Sequence, residues 1–238
     1  TAGGGKMVLM YKWEAGEALR LIEKHGIMAV SGVPVMAREL INHPDFDKTD
    51  TSSLLSLGGG GAQVPPDLVL KIDEKVANAR PNTGYGMTET SSIASHNTAE
   101  DHTARPDSVG ALIPPCDARL VGEDGKDAPE GGTGELWIRG PNVVRGYWQR
   151  PEETAESFPD GWVRTGDIAR IDAEGFVYIL DRLKDVVIRG GENIYCVEVE
   201  EALMRHESVI EAAVFGIPHK ILGEELAAAI HLAPNTSA

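Results

Sequence analysis

The sequence predicts an α/β protein in three parts. These are part of a large α/β domain over residues 1–105, an antiparallel β-barrel subdomain over 106–181, and the start of a small α+β C-terminal domain over 182–238. Three observations predict it. Up to about residue 105, short apolar runs alternate with stretches of helical spacing, the pattern of a parallel sheet with covered faces. From 106, strand-like runs bracket turn-rich sequence. After Arg182 the order becomes hairpin, helix, strand, strand. With 238 residues, 42% of them hydrophobic, the chain can bury a real core.

The elements follow in order. "KMVLMY" reads as a short buried strand. "EAGEALRLIEKHG" places apolar residues at helical spacing and closes on a glycine, a C-terminal signal. "IMAVSGVP" is a second short buried strand, stopped by Gly32 and Pro34, and "VMARELINHP" returns to helix. "SLLSLGGGG" is a strand running into glycines, followed by "PPDLVLKIDEKVANA", a helix with proline at its start. "DARLVGEDGKDAPEGGTGELWIRG" holds two strands around a turn, and "DIARIDAEGFVYILDR" is a hairpin around "AEG". "KDVVIRGGENI" is a further hairpin, "VEVEEALMRH" a helix, and "VIEAAVFGI" and "ELAAAIHLA" the closing strands, with a few polar residues after them. Both termini read as interior sequence, so a piece of a longer protein is expected.

Charge and composition narrow the function. Thirty-seven acidic residues against 22 basic ones leave a net charge of −15. That argues against a nucleic-acid binder, whose affinity comes from neutralising phosphates. No apolar run approaches the length of a membrane span, and no charged-then-apolar leader is visible, so the cytoplasm is the expected compartment. Cys116 and Cys196 lack metal spacing and read as free thiols. The seven histidines show no ligand spacing and read as surface or satisfied core residues; Trp137, Trp148 and Trp162 read as packing residues of β segments.

Four stretches carry more special residues than a scaffold needs: "SLGGGGAQVPP", "NTGYGMTET", "GWVRTGDIARID" and "LDRLKDVVIRGGENI". In a parallel sheet, ligands bind beyond the carboxyl ends of the strands, where the first two stretches fall. A glycine run lets a flat ring approach the backbone. Tyr85 offers a ring to stack, Thr88 a hydroxyl for a phosphoryl oxygen, and Glu89 a hard oxygen suited to Mg2+, which is commonly held by one or two carboxylates together with substrate phosphates. A nucleotide site meets these demands together. Each stretch also has a plainer reading. The glycine run could be a flexible loop, Asp167 a turn aspartate, Arg182 and Lys184 a solvated charged stretch, and Gly190–Gly191 an unliganded hairpin turn.

The chain resembles the adenylate-forming enzymes of the acyl-CoA synthetase, luciferase and peptide-synthetase adenylation-domain superfamily. "YGMTET", "GELWIRGPNVVRGYW", "GWVRTGDIARIDAEGFVYILDRLKD" and "IRGGENI" follow in that family's order and spacing. The resemblance implies roles by position. Gly60, Gly61 and Ala62 would wall the adenine, and Gly84 and Tyr85 would floor the adenine and the acyl group. Thr88 would contact the α-phosphate, Glu89 would ligate Mg2+, and Asp167 would accept hydrogen bonds from both ribose hydroxyls. Arg182 would lie beside the ribose and phosphate, and Lys184 at a hinge. Gly190 and Gly191 would make room for the pantetheine arm of CoA.

The implied chemistry is ATP-dependent. A carboxylate attacks the α-phosphate to give acyl-adenylate, and CoA then takes the acyl group, releasing AMP. The implied cofactors and co-substrates are ATP/AMP, Mg2+ and CoA, with a fatty or aryl acid as the carboxylic substrate. The alternatives are an acyl-AMP ligase, an adenylation domain loading a carrier protein, and an inactive nucleotide-binding remnant. No nucleic acid and no integral membrane segment is expected as partner or anchor, and the oligomeric state is left open between monomer and homodimer. The family's phosphate-gripping loop of the "TSGTTGxPKG" type and its C-terminal "GK" lysine have no match here, so poor activity is expected of these residues alone.

Overall fold

The computed structural model describes residues 4–62, 64–206 and 208–233. The chain forms two compact units, one from residues up to Thr88 with Ser92–Ile113, the other from Glu89–Ser91 with residues from Pro114 onward. The elements in order are α1 (Ala15–His25), β1 (Ala29–Gly32), α2 (Pro34–Asn42), β2 (Ser56–Gly60), α3 (Pro66–Lys75), β3 (Arg80–Tyr85), β4 (Ser95–Thr98), α4 (Ala99–Ala104), β5 (Gly110–Leu112), β6 (Asp117–Val121), β7 (Thr133–Arg139), α5 (Pro151–Ser157), β8 (Val163–Ile171), β9 (Phe176–Arg182), β10 (Val187–Arg189), β11 (Glu192–Ile194), α6 (Cys196–Met204), β12 (Val209–His219) and β13 (Gly223–Leu232).

In the first unit β1, β2 and β3 run parallel, while β4 and β5 continue antiparallel. The crossover helices form as their sequences dictate. Glu14 caps α1 by accepting from the Gly16 and Glu17 amides, and Gly26 ends it in the left-handed region at φ 58°. Pro34 and Pro66 open α2 and α3, where a missing N–H costs nothing. The apolar stripes meet in one core of Leu19, Ile22, Leu40, Ile41, Leu57, Leu68 and Ile72.

Two strand expectations fail here. "KMVLMY" is irregular, with Leu9 80% exposed and Met10 packed against the core; among the described residues no strand pairs with it, and a strand needs a ladder partner. β1 exists but is not buried: its residues alternate between exposed and half-buried as its two faces alternate, and among the described residues it pairs only with β2. The polar run after Ala233 lies outside the described residues.

In the second unit β6, β7, β8 and β9 form an antiparallel meander. Arg119 on β6 lies between the rings of Trp137 and Trp162, at 4.6 and 4.7 Å, with Arg139 and Arg164 continuing the stack. Trp137 and Trp162 are thus packing residues as expected, but Trp148 is 87% exposed in a turn after β7. A smaller sheet, ordered β11-β10-β13-β12, carries α6, with Val187, Cys196 and Val214 at its core. Both cysteines are free. Burial first, and then the nearby Asp181 carboxylate, push the Cys196 thiol up to about 11, so it stays protonated at neutral pH.

Candidate nucleotide site

Gly60 ends β2 and Tyr85 ends β3, and because these strands are parallel their carboxyl ends share one edge of the sheet. The register sets Gly60 opposite Gly84. The glycine run is strand, not flexible loop. A Cβ on Gly58 would overlap the Asn82 carbonyl, and one on Gly59 the Gly32 carbonyl. A Cβ on Gly60 would lie 2.5 Å from the Gly84 oxygen. Three strands thus approach more closely than side chains allow, and the run emerges at this edge as Gly61, at φ 84°, and Ala62.

Thr88 and Glu89 stand in a single 3₁₀ turn, Thr88–Thr90, just beyond β3. Thr88 is exposed and Glu89 half-buried. The loop after β7 clamps this turn. The Val144 amide donates to the Glu89 carbonyl at 2.9 Å, the Asn142 side-chain amide to the Thr90 carbonyl at 3.1 Å, and the Ser91 hydroxyl to the Asn142 carbonyl at 2.7 Å. The Tyr147 hydroxyl donates to Glu89 Oε1 at 2.7 Å. That bond, reinforced by burial, raises the pKa of the Tyr147 phenol. Tyr147 lies inside "GELWIRGPNVVRGYW", yet the sequence alone gives its ring no partner.

Asp167 is built by an interrupted strand. Gly166 sits in the left-handed region at φ 71° within β8, with open space where a Cβ would stand, so backbone conformation and not crowding calls for glycine. The buried Glu135 carboxylate accepts from the Gly166 amide at 3.2 Å, and the Thr165 hydroxyl donates to the Leu136 carbonyl at 2.7 Å while accepting from the Asp167 amide at 3.1 Å. Asp167 consequently lies on the inward face, 4% exposed. Arg182, opposite it in register on β9, donates from Nε to Asp167 Oδ1 at 2.8 Å. This is more than the simple turn aspartate of the plainer reading.

Lys184 is exposed in the turn after β9. Gly190 and Gly191 form the tip of the β10–β11 hairpin at φ 62° and 91°, and a two-residue hairpin loop with positive φ at both positions accounts for both glycines without a ligand. Asp181 was not singled out from the sequence. It is a buried carboxylate that accepts from the Arg182 and Cys196 amides and ties the end of β9 to the start of α6. His102, expected to be satisfied or at the surface, is neither: it is buried, and no hydrogen bond reaches either ring nitrogen.

The first unit thus presents parallel strands rich in glycine, and the second a turn bearing a clamped carboxylate and a buried aspartate paired with arginine. The chain belongs to the AMP-binding enzyme family: the AMP-binding enzyme family model matches residues 1–148, and the model of that enzyme's C-terminal domain matches 198–238. It is 40% identical over 230 residues to a long-chain-fatty-acid–CoA ligase of Bacillus subtilis, covering 96% of this chain and 41% of that protein. It is 40% identical over 225 residues to a feruloyl-CoA synthase of Amycolatopsis, covering 93% and 45%. The chain therefore spans less than half the length of these relatives. Among solved structures, the amide bond synthetase McbA from Marinactinospora thermotolerans superposes with a TM-score of 0.93 at 33% identity, covering 100% of this chain and 48% of that one. The o-succinylbenzoate CoA synthetase MenE of Bacillus subtilis, in complex with its acyl-adenylate intermediate, gives 0.84 at 32%, covering 95% and 46%.

Proposed function

We propose that this chain is part of an ATP-dependent acid–thiol ligase that activates a fatty or aryl carboxylic acid as acyl-adenylate and passes the acyl group to CoA. The observation that carries the reading is Asp167, a buried carboxylate set in register against Arg182 and ion-paired to it at 2.8 Å. A carboxylate has two oxygens and can take both hydroxyls of a ribose, while the arginine beside it faces the negative charge of a phosphate. Relatives named as CoA ligases and neighbours solved with AMP, or with ATP and magnesium ion, support it.

The roles follow from position. Gly60, Gly61, Ala62, Gly84 and Tyr85 bind the adenine end, where the glycines let a ring lie against backbone. Thr88 holds an α-phosphate oxygen. Mg2+ fits the donors present. Among the described residues no cluster of three or more His, Cys, Asp or Glu could hold a metal, whereas Mg2+ is commonly held by one carboxylate and the substrate's phosphates. Glu89 is that carboxylate, and the ion would neutralise phosphate charge. Catalysis is then positioning and charge stabilisation, with no protein nucleophile. Lys184 marks the pivot of the part beginning at 182, after the parts 1–105 and 106–181, and Gly190 and Gly191 leave room for pantetheine. A second reading, with an amine in place of CoA, is favoured by the likeness to the amide bond synthetase.

The test is calorimetric titration of the chain with AMP. Saturable binding is expected, about tenfold weaker in Asp167→Asn, which keeps the shape and removes the charge. No AMP binding by the unsubstituted chain overturns the proposal.

A further inference from the structure

The loop that clamps the Thr88–Thr90 turn is built to aim one hydroxyl. Gly146, at φ 143°, passes so close to α5 that a Cβ would overlap the Thr154 methyl, which leaves glycine as the residue that fits. The Thr154 hydroxyl then accepts from the Tyr147 amide at 2.9 Å while donating to the Arg150 carbonyl at 2.6 Å. The Tyr147 ring meets Phe158 edge-on, with centroids 5.4 Å apart at 68°. Backbone, ring and neighbouring helix are thus all held, and the group they present is a phenol hydroxyl on Glu89 Oε1. A tyrosine that only packed would not need its hydroxyl on a carboxylate, and Tyr147 is 39% exposed, so its ring is not primarily core.

We propose that Tyr147 is a positioning residue for Glu89. By occupying Oε1 it fixes the carboxylate's rotation and leaves Oε2 facing a divalent cation on the nucleotide. This rests on the reading of Glu89 as the cation ligand. Holding one oxygen removes rotational freedom that the cation would otherwise have to freeze out on binding. Gly146 and Thr154 act one step further back, by setting where Tyr147 begins.

The test compares ATP affinity with and without Mg2+, and AMP affinity without metal, for the unsubstituted chain, Tyr147→Phe, Glu89→Gln and the double variant. Tyr147→Phe keeps the ring against Phe158. It is expected to weaken the Mg2+-dependent part of ATP binding about fivefold, the size of one net hydrogen bond, and to leave metal-free AMP affinity and melting temperature unchanged. In the Glu89→Gln background it should add nothing. Thr154→Val, which removes the hydroxyl's bonds to the Tyr147 amide and the Arg150 carbonyl without touching the phenol, should give a smaller loss of the same kind. An unchanged Mg2+-dependence in Tyr147→Phe, an equal loss for AMP and Mg2+–ATP, or additivity with Glu89→Gln overturns the inference while the nucleotide reading stands. Failure of the unsubstituted chain to bind AMP overturns both.

Discussion

His102 lies on α4 with 1% exposure, facing the Pro81 and Pro106 carbonyls without a hydrogen bond from either ring nitrogen. Burial lowers its pKa from 6.5 to about 4; the Pro81 carbonyl opposes this, the charge of His96 adds to it, and the Pro106 carbonyl opposes it. The folded form therefore holds this ring neutral over a range in which the unfolded chain protonates it. Stability should fall as pH drops from 6.5 towards about 4, by no more than about 3 kcal/mol, and level off below. Urea unfolding of the protein and of His102→Gln across that range measures it: the difference between the two should carry the slope, and parallel curves would refute it. Residue identities at the candidate site were readable because glycine, aspartate and glutamate each do something no neighbour type can. The partners were not. Nothing local says that Arg182 pairs with Asp167, since that pairing comes from strand register 15 positions apart.

Helices α1, α2 and α3 were legible because an amphipathic stripe, a capping glycine and opening prolines are local signals. β3, β4 and β5 were not, because "RPNTGY" and "SHNT" are polar. Their inward residues are held by tertiary bonds, the Asn97 side-chain N–H groups donating to the Arg105 and Ser108 carbonyls and the Ser95 hydroxyl to that of Val109. "KMVLMY" errs the other way: its apolar residues look like a strand, but a strand is a property of two segments. β2 supplies the prediction at this scale. Gly59→Ala forces a side chain into the Gly32 carbonyl and should cost more than about 3 kcal/mol in denaturant unfolding. Gly61→Ala meets only an ordinary contact with Val33 Cγ1 at 3.9 Å and the strain of φ 84°, about 1 kcal/mol. Equal costs would mean that β1, β2 and β3 do not approach as described.

Across the whole chain the dominant fact is a net charge of −15. Most ion pairs, such as Arg20–Glu17 and Lys48–Asp45, are solvent-exposed and contribute little, so salt has little to weaken in them. Self-repulsion is the larger effect, and salt screens it. The melting temperature should therefore rise between about 0.01 and 0.15 M salt, as the screening length falls from about 30 to about 8 Å. A flat or falling melting curve would show that the attractive pairs win. Among the described residues no helix is long and apolar enough to cross a membrane. The sequence by itself determined the family, the alternation of elements and the residue types of the nucleotide motifs, because these are written in short-range spacing and in side chains with distinctive chemistry. Only the tertiary structure decided which of them meet: Asp167 with Arg182, Glu89 with Tyr147, Gly60 with Gly84. Strand register and loop placement bring distant positions within hydrogen-bond reach, and no local pattern encodes that distance.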